Sequence, residues 1–299
     1  MGLQSSGAIS LNEIHIEAGG SSGTQASIND SDIRALIDKS SGATMSFNEW
    51  YGASANVTVT ISSNQTNVSV STSFGSDFSA NVAKVLVINS GVEIGATSLS
   101  NYALNVPSGM GGTLTIQNAG TLSGAGGDGS SGGAGGAGGT ALYVASNNVT
   151  VTNTGTIRGG GGGGGKGANG SDGHSGDIAG IWCDGGDGGD GGTGGNGQGY
   201  DQSQSNGGSG GGSDAPSCDY PNGMQDGTCA YLCQFISGGT WGAGRTDGSD
   251  GGNGGTYGNA GDQGGGSGSQ GGAAGKYIQL ASSISYSLSN SGTLQGNAP

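Results

Sequence analysis

The sequence predicts a mainly β protein: a repetitive β-scaffold, preceded by a short α-helical module, with a bundle of glycine-rich polyproline-II-type (polyglycine-II) helices inserted into it. Three observations predict this. The chain has 299 residues and 74 glycines, 57 of them between Ala125 and Gly275. An Asn-x-Gly element recurs behind segments of alternating apolar and polar residues. Only 5% of residues are aromatic and 9% charged, so an ordinary hydrophobic core of this size is excluded. Four prolines are too few for a collagen triple helix, which presets its backbone with proline.

Residues 1–54 carry one frame three times: Ser10-Leu11-Asn12-Glu13, Ser27-Ile28-Asn29-Asp30 and Ser46-Phe47-Asn48-Glu49. Serine with an acid three residues on is the capping-box pattern, in which hydroxyl and carboxylate satisfy the first N–H groups of a helix. The middle copy leads into Ile33, Leu36 and Ile37, which share one helical face. The SGAIS-L-N-E and SGATMSFNEWYGAS frames resemble a small module near the start of many tailed-phage tail and baseplate proteins. That resemblance implies attachment to other tail or baseplate subunits through residues 1–54. A capped helical hairpin that only packs on the next domain is the alternative.

The β-scaffold is expected over 55–124, again at 140–158 and finally at 276–299. Val57, Val59 and Ile61 alternate with threonine, Val85–Ile88 is more continuous, and Asn-x-Gly follows at Asn89, Asn118, Asn153 and Asn290. Each Asn-x-Gly supplies residues that tolerate positive φ, so the unit reads strand, turn, strand. A second strand type lies between copies, as at Ala103–Val106, Ala141–Val144 and Tyr277–Leu280. The connection after Gly159 runs to Gly275 before the scaffold resumes, so it leaves the β-layer and returns to its departure point.

Within 125–275 the period is three. Gly164, Gly167, Gly170, Gly173 and Gly176 recur, and Asp184, Asp187, Asp190, Thr193 and Asn196 are separated by glycine pairs. Three residues per turn is the polyproline-II helix, which has no internal hydrogen bonds and must bond sideways. Ordering a residue costs ~1–2 kcal/mol and a hydrogen bond returns about 1 kcal/mol, so such helices persist only in groups. A flexible glycine/serine linker is the alternative; it requires neither a strict period nor clustered cysteines. Successive third-position aspartates would lie about 9 Å apart and cannot share one ion, so no metal is expected.

Cys183, Cys218, Cys229 and Cys233 surround the least glycine-rich stretch. Crosslinking where a core is absent favours disulfides, in any of three pairings, with a zinc site and free thiols as alternatives. The interruptions of the glycine region hold Trp182, Tyr200, Tyr220, Tyr231, Trp241, Arg245 and Tyr257. Aromatics where no core exists mark a binding surface, and a small hydrophobic plug around the cysteines is the competing reading. From Asp177 to Tyr257 ten aspartates face one basic residue, Arg245, which favours a neutral surface glycan or an outer-membrane protein as ligand.

The formal net charge of −14 opposes binding to nucleic acid or an anionic membrane. No apolar run is long enough to cross a bilayer, and the start lacks the regions of a signal peptide, so synthesis in the cytoplasm is expected. Catalysis is not expected. The two histidines, His15 in an expected strand and His174 in a glycine run, have no nucleophile or carboxylate pair nearby, and Glu93 is isolated on the scaffold. No cofactor is implied.

A β-scaffold carrying glycine tracts broken by short loops is similar to the receptor-recognising adhesins at long-tail-fibre tips of T-even-like phages. The resemblance implies sandwiched polyglycine-II helices, host binding through the loops between them, a place in the virion after assembly in the host cytoplasm, and a homo-oligomer, a trimer by analogy with tail fibres. The runner-up is a structural tail or baseplate protein without a receptor.

Overall fold

The structure, a computed structural model, describes residues 2–37, 39–53, 55–173, 175–178, 181–184, 186–214, 217–219 and 245–299, with the strands at 176–178, 181–184 and 217–219 described by their backbone alone. The N-terminal module contains α1 (Leu11–Glu17), α2 (Ser31–Ala35) and a 3₁₀ turn (Phe47–Trp50). Ser10 with Glu13 and Ser46 with Glu49 form complete capping boxes. The middle frame differs: Asp30 accepts from the Ser27 N–H (2.7 Å), and α2 begins only after Asp30. Each segment contributes one buried residue to a small core of Ile14, Ile33 and Trp50, and the Trp50 indole donates to the Ile33 carbonyl (3.0 Å). His15 lies on α1, not on a strand, because the Ser10 box starts a helix across it.

The scaffold is a parallel β-solenoid with three faces. The first sheet stacks β1 (Val57–Ile61), β4 (Ala83–Ile88), β7 (Thr113–Asn118), β10 (Val149–Asn153) and β16 (Tyr286–Asn290). The second stacks β2 (Gln65–Thr66), β5 (Glu93–Gly95), β8 (Thr121–Ser123), β11 (Thr156–Arg158) and β17 (Thr293–Gln295). The third stacks β3 (Val68–Ser69), β6 (Leu104–Val106), β9 (Leu142–Val144) and β15 (Ile278–Leu280). The sequence shows two strand types between turns, whereas each full coil has three strands. The Asn-x-Gly turn is a corner, so the strands on its two sides belong to different sheets.

Period-two alternation aims one residue set inward. Leu86, Ile116 and Val151 stack in register and are fully buried, while Thr58, Val85, Thr115, Thr150 and Ser287 line the outside. At the corner, a Cβ on Gly155 would lie 2.1 Å from the Gly120 carbonyl oxygen, and one on Gly292 would lie 2.1 Å from that of Gly155. Glycine is therefore required for the coils to stack at 4.7–4.9 Å. Asn118, Asn153 and Asn290 form an amide ladder, buried at its first two members and exposed at Asn290, with Nδ2-to-Oδ1 bonds of 2.7 Å at each step. The first Asn-x-Gly copy does not join it: Ile88 faces Asn118, and Asn89 opens a longer corner spanning 89–92. Near the first coil, buried Lys84 donates to the carbonyls of Ala80, Val82 and Gly111 at 2.7–3.0 Å, and burial lowers its pKa.

The glycine tracts leave the solenoid between its second and third faces, after β8 and after β11. The first excursion goes out over 124–130 and back over 133–139; the second uses 159–173, 186–199, 205–214, 246–256, 259–265 and 269–275. Their backbone bonds run sideways between tracts at every third residue. From tract 159–173, Gly160 and Gly163 donate to Gly139 and Gly136, Gly161 and Gly164 to Gln198 and Gly195, and Gly162 and Gly165 to Asn259 and Asp262. Its carbonyls accept from three further tracts, through Gly127 and Ser130, Gly252 and Gly255, and Gly272 and Gly275. This central tract thus has six neighbours. No direction is left for a side chain, which explains the unbroken run Gly159–Gly165, all buried. Tract 186–199 lies at the surface and exposes Asp187, Asp190, Thr193 and Asn196.

Candidate functional site

The bond registers sort the ends of the tracts. Odd-numbered strokes of the second excursion run outward from the solenoid and even-numbered strokes return to it, so its turns alternate between a far end and a near end. Tracts 159–173 and 205–214 lead to the far end and tracts 186–199 and 246–256 return from it, while 266–268 turn back part-way, beside Ala168. Residues 200–204 and 257–258 connect them at the near end, against the solenoid. The sequence treats all these interruptions as equivalent; the fold does not.

Two of the seven aromatic and basic candidates, Tyr200 and Tyr257, lie at the near end. The Arg158 guanidinium stands 3.7 Å over the Tyr257 ring and pairs with Glu93 at 2.9 Å. Ser123 ties this group together, donating to Glu93 (2.6 Å) and accepting from Arg158 Nε (2.8 Å). Burial raises the Tyr257 pKa, and the Arg158 charge opposes that shift. Glu93, isolated in the sequence, is one member of this junction. Tyr200 lies across Gly95, where a Cβ would fall 1.9 Å from the Tyr200 ring, and its N–H donates to the Gly124 carbonyl (3.1 Å). Both tyrosines are half-buried and bind the glycine tracts to the solenoid.

Trp182 and Arg245 belong to the far end. Arg245 opens the returning tract 246–256, and Trp182 lies on β13; Tyr220, Tyr231 and Trp241, with Cys229 and Cys233, fall outside the described residues. Here the backbone forms a three-stranded antiparallel sheet of β12 (Gly176–Ile178), β13 (Ile181–Asp184) and β14 (Ser217–Asp219), in the order β12-β13-β14. This sheet starts where tract 159–173 ends, so period three gives way to period two.

Acidic side chains complete the tract edges near this end. Asp247, Asp250 and Asn253 accept from the N–H groups of Ser213, Gly210 and Gly207 at 2.9–3.1 Å, one rung per turn. Asp172 and Asn169 accept likewise from Gly188 and Gly191 at 3.0 Å. An Asp or Asn at the third position thus supplies an acceptor at the tract edge, a role that the period-three spacing did not signal in the sequence. The Ser213 N–H holds the Asp247 carboxyl below the usual carboxylate range. Because the folded pKa is depressed, this contribution is present above the unfolded carboxylate pKa of about 3.9 and is lost as pH falls through the folded value. In an NMR titration the Ser213 amide resonance is expected to move with a midpoint below that of a free aspartate, and to stay still in Asp247→Asn.

A family model described as phage tail fibre adhesin Gp38 matches residues 56–299. Among solved structures, the chain is similar to the gp37-gp38 adhesin tip complex of the bacteriophage S16 long tail fibre, at 17% identity and a TM-score of 0.49, covering 89% of this chain and 91% of that one. No curated protein matches.

Proposed function

Because the chain belongs to the phage tail fibre adhesin family Gp38, we propose that it recognises its host receptor through the far end of the glycine tracts, at residues 174–185 and 215–245. One observation carries this reading: the near-end turns are already engaged by the solenoid through Tyr200 and Tyr257, whereas the far end carries the long connection 215–245. Trp182, Tyr220, Tyr231, Trp241 and Arg245 are then the receptor contacts, and Tyr200 and Tyr257 position the platform. The six-neighbour bonding pattern supports reading the tracts as a polyglycine-II bundle, a rigid support that needs no hydrophobic core. The excess of aspartate at the far end favours a neutral glycan or an outer-membrane protein over a phosphate-rich surface.

An adhesin of this family places the protein on the virion tail. Residues 1–54, which lie outside the matched region and expose Ile16 and Phe47, are the proposed contact with other tail subunits. The reading assigns binding, not catalysis, to this chain.

The test is adsorption of the purified full chain to cells of a strain that the parent phage infects. Replacing 215–244 by a glycine/serine linker is expected to lower cell binding at least about tenfold, or ~1.4 kcal/mol. Tyr257→Phe should leave binding within about twofold, as expected of a residue outside the contact surface. Unchanged adsorption of the folded linker variant would move the contact away from the far end, and absence of adsorption by the unaltered chain would leave the structural-protein reading in its place.

A further inference from the structure

We infer that Cys183 and Cys218 form a disulfide that closes the far end of the glycine tracts. Nothing in the sequence chooses among the three pairings of four cysteines, but the backbone does. β13 and β14 run antiparallel, with Cys183 directly opposite Cys218, Trp182 opposite Asp219 and Asp184 opposite Ser217. Directly opposed residues in an antiparallel pair share a face of the sheet, with Cα atoms about 4.5 or 5.5 Å apart. Both spacings fall inside the range of about 4.4–6.8 Å that a disulfide spans without backbone movement. On the other side of β13, Cys183 faces Gly176, which has no side chain to compete for the space.

The chain between the two cysteines contains tracts 186–199 and 205–214, so the bond makes a covalent ring of them. It sits next to the last sideways bonds of the lattice, from Gly173 N–H to the Gly186 carbonyl (2.9 Å) and from Asp214 N–H to the Asp187 carbonyl (2.9 Å). Oxidation proceeds by exchange with a low-molecular-weight disulfide such as oxidised glutathione. The thiolate of one cysteine attacks the small disulfide and expels one small thiolate. The thiolate of the other attacks the mixed disulfide and expels the second. Two protein thiols and one small disulfide become one protein disulfide and two small thiols. In a reducing cytoplasm the pair stays open, and it closes after release from the cell.

The experiment uses the full chain, exposed to oxidised glutathione, alkylated while denatured without reductant, and cut before aspartate. This cleavage separates the cysteines: Cys183 falls in 177–183, Cys218 in 214–218, and Cys229 with Cys233 in 226–246. The expected product is 177–183 joined to 214–218, released by reductant and absent from Cys183→Ser, in which Cys218 is recovered alkylated. Joining of either peptide to 226–246, or full alkylation of Cys183 and Cys218 after oxidation, would overturn the pairing. The readout is covalent, so it is independent of whether the far end binds a receptor.

Discussion

Alanine at Gly163 is expected to disassemble the glycine lattice, while the same substitution at Gly132 is tolerated. A Cβ on Gly163 would lie 2.0 Å from the carbonyl oxygen of Asp128 and 2.4 Å from its carbonyl carbon. Both are backbone atoms, so no side chain can swing aside, and tract 124–130 must move away as a unit. That movement breaks the bonds from Gly127 to Gly161 and from Ser130 to Gly164, each worth about 1 kcal/mol. Overpacking adds ~1–3 kcal/mol. Together they remove about 3–5 kcal/mol from a total that is typically ~5–15, and the melting temperature should fall by roughly 10 °C. Gly132 has nothing within 4 Å of its Cβ position and no positive φ. There alanine restricts the unfolded chain and should be neutral or stabilising by up to about 1 kcal/mol. Calorimetry of the two variants checks the contrast, and equal melting would show that the tracts are not in close contact.

The second large effect is expected inside the solenoid. Asn153→Ala removes the middle of the amide ladder, leaving Asn290 Oδ1 without its donor and Asn118 Nδ2 with only the long 3.3 Å bond to the Thr156 carbonyl. Asn118 is buried, so its orphaned amide costs about 1–3 kcal/mol, whereas Asn290 is exposed and its oxygen turns to water; urea unfolding should lose roughly 1–3 kcal/mol. The ladder already ends poorly at its other side, where Asn118 Oδ1 is buried without a donor opposite Ile88. Asn153→Asp separates the ladder from simple packing. Its protonated form can still donate to Asn290, and its ionised form cannot. The buried carboxyl has a raised folded pKa, so the variant is closest to the parent at acid pH and weakens as pH rises through that value. Equal loss at all pH values would deny the ladder its role.

Much of this architecture is legible in residues. The serine–acid frames at 10 and 46 start their segments because a capping box is a local device that needs nothing from the rest of the chain. Glycines at 164, 167, 170 and 173 anticipate bonds at every third residue, and Asp187, Asp190, Thr193 and Asn196 are exposed as their spacing requires. Other features depend on contacts between distant segments. The third solenoid face is hidden because a corner and a hairpin turn use the same Asn-x-Gly residues. Asn89 matches the motif but lies in a longer corner, which only the register with β7 shows. The division of Tyr200 and Tyr257 from the remaining aromatics follows from tract direction. Counting turns alternately outward from Arg158 and back to Lys276 would have found it, since each tract reverses the one before.

The six-neighbour arrangement of tract 159–173 has a thermal consequence. Unfolding heat capacity rises with apolar surface exposed and falls with polar surface exposed. The tracts are joined by backbone amides and bury almost no hydrocarbon, so they add little to that quantity; the solenoid core of Leu86, Ile116, Val151 and their neighbours supplies most of it. The free energy of the glycine lattice therefore lacks the curvature by which a hydrophobic core weakens on cooling, and the lattice keeps gaining stability as temperature falls. A lattice built in this way keeps its shape over a broad span of temperature with the same set of amide bonds.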